Sequence, residues 1–148
     1  MKSTRPPTRR RTWPILTAAT TAVLAGVGPT APHAGAAAPR TQEIASSVLG
    51  RDYRITLTAV RSTDDAYAAS VRLRVDTYGD GGWTESDRAT VGAADGWFWY
   101  PLTGEGAVCR FSTSAAEPAP VDVSLLVTPS IGCSEPQYFV IEDGRIHT

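Results

Sequence analysis

The chain has 148 residues, 42% of them hydrophobic, 20% charged and 8% aromatic, which is material for one small domain and not for two. Fourteen basic and fifteen acidic residues nearly cancel, so the raw count points away from a polyanion binder. The distribution is uneven: five of the basic residues lie in the first eleven positions, and no acid precedes Glu43.

Residues 1–11 are basic and rich in Pro and Thr, and Ile15 to Gly28 form an uncharged apolar run. That run is too short to span a bilayer as a helix. Ala34-Gly35-Ala36 then offers a small-x-small cleavage pattern. This order of basic, apolar and small segments is the layout of a secretory signal peptide. Residues 1–36 are therefore expected to be a leader, with export by the general secretory route. Arg9-Arg10-Arg11 also admits the twin-arginine route. No later apolar run is long enough for a membrane anchor, so the processed protein is expected to be extracellular and free of the membrane.

After residue 36 the sequence holds nine arginines, no lysine and all fifteen acids, a net charge of −6. Lysine-free, arginine- and alanine-rich composition resembles that of proteins encoded by high-GC genomes. An acidic domain has no electrostatic footprint for nucleic acid or anionic lipid. Residues 37–47 read as a flexible lead-in, and 48–148 as the single folded domain. Its only cysteines, Cys109 and Cys133, are expected to form a disulfide in an oxidising compartment. Their spacing is not that of a redox or zinc motif.

Period-two alternation dominates the domain. Tyr53, Ile55, Leu57 and Ala59 alternate with polar residues. Tyr67, Ala69, Val71, Leu73 and Val75 do the same, and a strand places Arg72, Arg74 and Asp76 together on its wet face. Gly79 to Gly82 reads as a hairpin turn, with a new strand at Trp83. Trp97 to Tyr100 reads as an aromatic strand ended by Pro101, with Trp97 and Trp99 on one face and Phe98 and Tyr100 on the other. Further strands are expected at residues 107–113, 121–127 and 138–141, and Asp143-Gly144 is a type I′ turn signal into Arg145-Ile146-His147. About seven strands with no convincing helix point to an all-β antiparallel β-sandwich of immunoglobulin-like layout, with a small β-barrel as the alternative.

The chemistry available is narrow. His33 lies in the leader, leaving only His147 next to the C-terminus, where a triad is poorly held. No phosphate-binding glycine loop is present, and no cofactor or catalytic residue is expected. Asp76, Asp80 and Asp87 have a partial calcium-loop spacing, but Tyr78 and Asp87 depart from it and the flanks read as strands. The hairpin account is preferred, with no metal. The aromatic residues Trp83, Trp97, Trp99 and Tyr100 are the candidate ligand-binding strip. The favoured expectation is a secreted non-catalytic binding module for an extracellular ligand, polysaccharide or protein. The alternatives are a protease inhibitor using the Pro129–Pro136 loop and a small carboxylate-dependent hydrolase.

Overall fold

A computed structural model describes residues 40–148; the expected leader and residues 37–39 lie outside the described residues. The described chain forms β1 (Thr41–Leu49), β2 (Tyr53–Arg61), β3 (Ala68–Gly79), β4 (Gly82–Val91), β5 (Trp97–Phe98), α1 (Trp99–Thr103), β6 (Val108–Thr113), β7 (Ala119–Thr128), β8 (Gly132–Cys133), β9 (Gln137–Glu142) and β10 (Arg145–His147). One sheet runs β1-β2-β3-β4, with β5 extending it beside β3. The other runs β10-β9-β7-β6, with β8 beside β7. Every pairing is antiparallel. The protein is an all-β sandwich.

The alternation read from the sequence is the alternation of burial. Ile55, Leu57, Val71, Leu73 and Val75 from the first sheet are fully buried against Val121, Val123, Leu125 and Ile141 from the second. These side chains form one core cluster. Successive residues of a strand face opposite sides, so each apolar residue in that core puts its polar neighbour on the outer face.

Connectivity differs from the immunoglobulin-like layout expected. Consecutive strands stay within one sheet, and the chain passes between layers through β5 and α1 instead of by Greek-key crossings. Tight turns account for this. Gly79 pairs with Gly82 across a two-residue loop. Glu142 pairs with Arg145 across Asp143-Gly144, whose φ values of 49° and 73° give the mirror-image turn that matches strand twist. A side chain on Gly144 would also meet Thr77 Cγ2 at 3.0 Å, so the turn packs tightly against the β3–β4 hairpin. The long edges of the two sheets are joined by side chains. Ser47 and Thr113 hydroxyls hydrogen-bond at 2.8 Å between β1 and β6, and the Ile146 amide donates to Asp87 Oδ2 at 2.9 Å between β10 and β4.

Two expectations need correction. Residues 41–47 of the expected lead-in lie in β1, which pairs along β2 from Thr41↔Val60 to Leu49↔Tyr53. The register shifts between Glu43 and Ala45, so Ile44 is an extra residue that breaks the alternation a sequence reading relies on. The aromatic strand is shorter than expected. Only Trp97–Phe98 is strand, and Trp99–Thr103 is one helical turn. Pro101 is compatible with that turn because the first amides of a helix have no intrahelical acceptor. The Trp99 amide donates to the Tyr67 carbonyl at 2.8 Å, and Leu102 is fully buried. No helix among the described residues is long and apolar enough to cross a membrane.

The expected disulfide is present between Cys109 on β6 and Cys133 on β8. It links the two strands that flank the C-terminal half of β7, where Val108 pairs with Leu125 and Cys133 with Leu126. A disulfide of this kind persists in an oxidising compartment.

Candidate functional site: the outer face of the β1–β4 sheet

The polar residues of β1 to β4 converge by register. Arg54 pairs with Asp76, Thr56 with Arg74 and Thr58 with Arg72. On the other side of β3, Arg72 meets Thr90, Arg74 meets Arg88 and Asp76 meets Glu85. Glu43 of β1 stands opposite Thr58. One sheet face thus carries four arginines and three acids, a net positive surface on a domain whose net charge is −6. Arg72 and Tyr78 on it are exposed.

Asp76 organises this face. It is only 3% exposed, and Arg54 Nε donates to its Oδ2 at 2.9 Å while Arg74 Nε lies 3.3 Å from Oδ1. Thr56 and Val60 are buried although the register places them on this outward face. Arg88 is paired with Glu85 at 2.6 Å. Arg72 is exposed and has neither an ion pair nor a side-chain hydrogen bond among the described residues. Two shallow depressions follow one another along the face. One, of about 220 Å³, is lined by Thr58, Arg72, Arg74, Glu85 and Arg88. The next, of about 250 Å³, shares Val60 and Arg72 with it and ends at Asp64 and Asp95.

The hairpin end of the same face is aromatic. Tyr78 pairs with Trp83, their ring centroids 5.2 Å apart and their planes at 68°, an edge-on arrangement. The Arg54 guanidinium lies 5.4 Å from the Trp83 ring centroid. Tyr78 is 61% exposed, and with Trp83, Gly50 and Arg51 it lines a depression of about 260 Å³.

The expected aromatic strip does not assemble. Trp97 and Trp99 are buried, as one face of the predicted strand required, and belong to the core. Trp97 Nε1 donates to the Val91 carbonyl at 2.7 Å and its ring packs on Gly92, where an added Cβ would lie 3.2 Å from Cζ2. Tyr100 is exposed on α1 and stacks obliquely with Tyr67, 6.0 Å between centroids, while Trp83 pairs with Tyr78 instead. Of the four proposed residues, only Trp83 belongs to the face described above. The missed partner Tyr78 could have been found by counting back from the two-residue turn, which sets Tyr78 opposite Trp83.

The three acids of the calcium spacing are not gathered either. Asp76 is engaged by two arginines, Asp80 sits at the hairpin tip, and Asp87 accepts from the Ile146 and Arg88 amides. Those amides lower the Asp87 pKa, with smaller help from the charges of Arg145 and His147. A register shift between Val75 and Asp76 leaves Ser86 as an extra residue and turns Asp87 away from the face that carries Asp76. Among the described residues, no group of three or more His, Cys, Asp or Glu side chains is placed to hold a metal. The Pro129–Pro136 segment holds the short β7–β8 turn and β8 itself, the Ile131 amide donating to Thr128 Oγ1 at 3.1 Å. No protein family, curated protein or solved structure matches this chain.

Proposed function

We propose that this chain is an exported, non-catalytic module that binds an extracellular polysaccharide through the outer face of β1 to β4. The observation that carries this reading is the exposed Tyr78 ring set edge-on to the half-buried Trp83 beside a depression on the sheet face. Aromatic rings on a preformed surface offer large contact area at small conformational cost, and a sugar's C–H face stacks on them. Export is supported by the disulfide and by the leader-like order of residues 1–36. The buried acid Asp76 is neutralised by two arginines, which suits an organising role better than proton transfer.

Tryptophan fluorescence titration with soluble glycans, together with sedimentation on insoluble ones, tests the reading. Binding by the unmutated chain and a roughly tenfold weaker affinity in Tyr78→Ala, the loss of about 1.4 kcal/mol of contact energy, is the expected result. Tyr78 is exposed, so its removal leaves the core untouched. Affinity unchanged in Tyr78→Ala, or no binding to any glycan, overturns it.

A further inference from the structure

We infer that the polymer bound on this face is an acidic polysaccharide whose anionic groups are seated by Arg72, Arg74 and Arg88; this rests on the polysaccharide reading above. Three features of the face select that chemistry. The first is charge: the face is net positive where the rest of the domain is strongly acidic, and Arg72 is exposed with no partner among the described residues. Arg74 and Arg88 are ion-paired with Asp76 and Glu85, yet their side chains stay 38% and 63% exposed. Guanidinium groups recognise planar carboxylates and sulfates by paired N–H donors, so a ligand anion supplies the partner that Arg72 lacks among the described residues.

The second is length. Arg72 and Tyr78 lie on the same face of β3, six residues and about 20 Å apart at about 3.3 Å per residue. One depression lies at Tyr78, and two that meet at Arg72 reach from Arg88 to Asp95, with Arg54 and Asp76 between. A chain of several sugar units fits such a track, with one unit stacked at Tyr78–Trp83 and an anionic unit at Arg72.

The third is the interleaving of acids among the arginines. Glu85 is bound to Arg88, and Glu43 stands opposite Thr58. Carboxylates accept hydrogen bonds from sugar hydroxyls, which an acidic polysaccharide has in excess of its charges. A nucleic acid has a phosphate charge about every 1.7 Å of duplex axis, and those acids oppose it. A protein partner is a poorer match as well, because the centre of the face is charged and not apolar.

The test compares a polyuronate, a neutral glucan and duplex DNA as probes, titrated against the full chain at low and high salt. The expected result is polyuronate binding that weakens as salt rises, with affinity lowered roughly tenfold in Arg72→Gln and in Arg88→Gln, the loss of one charge-assisted contact each. Arg145→Gln, on the opposite sheet, serves as the charge control and leaves affinity unchanged. Thermal melting of each variant separates lost contact from lost fold. Polyuronate and neutral glucan binding alike, with no effect of Arg72→Gln or Arg88→Gln, overturns the acidic ligand and leaves the polysaccharide reading standing. No binding to either glycan removes both. Tighter binding to DNA than to polyuronate overturns the inference in favour of a nucleic acid.

Discussion

Asp76 and Asp87 lie on the same hairpin, and the fold uses them differently. Asp76 is held beneath two guanidiniums and fixes where they lie on the sheet. Asp87 turns to the other side of β4 and accepts the Ile146 amide, tying the short edge strand β10 to the opposite layer. Its amide donors Ile146 and Arg88, and then the Arg145 and His147 charges, hold its pKa below the ordinary carboxylate value. A folded-state pKa below the unfolded one means the tie contributes fully above the unfolded pKa. It is lost as pH falls through the depressed folded value. Protection of the Ile146 amide against hydrogen exchange, corrected for intrinsic rates, is therefore expected to fall on acidification through that range. In Asp87→Asn the same curve is expected to flatten, and an unchanged curve would show that another group governs β10.

At the scale of elements, the strands most easily read from sequence are those whose alternation is unbroken. β2, β3, β7 and β9 bury alternate apolar residues along most of their length, and the pattern is visible without coordinates. β1 was hidden because Ile44 bulges and the inward residues after it, Ala45 and Ser47, are small or polar. α1 was hidden because Pro101 stops a strand yet is tolerated in the first turn of a helix, and only the packing of Leu102 and Trp99 into the core decides between them. The outer face of β1 to β4 was readable in part: alternation alone gathers Arg72, Arg74 and Asp76. Adding Arg54, Arg88 and Trp83 needs the register of three strands, including the shift beside Asp76. The disulfide was readable from the cysteine count, and its cost of removal follows from the span it closes. The cysteines are 24 residues apart, a loop worth about 3 kcal/mol in the chain-entropy model. The double variant Cys109→Ser, Cys133→Ser is expected to lose about that much in urea denaturation. Both cysteines are exposed, so the substitution leaves no cavity. An unchanged midpoint would mean that β8 is held by its pairing with β7 and the Ser134–Leu125 backbone bond alone.

Viewed whole, the molecule separates two tasks between the two sides of one sheet. The inner side of β1 to β4 shares a single hydrophobic cluster with β7 and β9, while the outer side keeps its charges in a fixed array. Net charge alone hides this array, because register and not composition brings the arginines together. Rigidity of the array depends on the cluster beneath it, since Arg72 and Arg74 alternate with the fully buried Val71, Leu73 and Val75. One shared core also sets how the molecule comes apart. Neither sheet can keep its apolar face dry without the other, so a single cooperative transition is expected, with tryptophan fluorescence and far-UV circular dichroism coinciding in urea. The buried Trp97 and Trp99 report on the core between the layers, and the dichroism reports on all strands. Leu73→Ala in one sheet and Ile141→Ala in the other each empty a fully buried site and are expected to cost about 3 kcal/mol. Each should move both signals together by the same amount, whichever sheet carries the change. Separation of the two signals in either variant would show that the layers unfold independently, and the outer face would then lose its support from the second sheet.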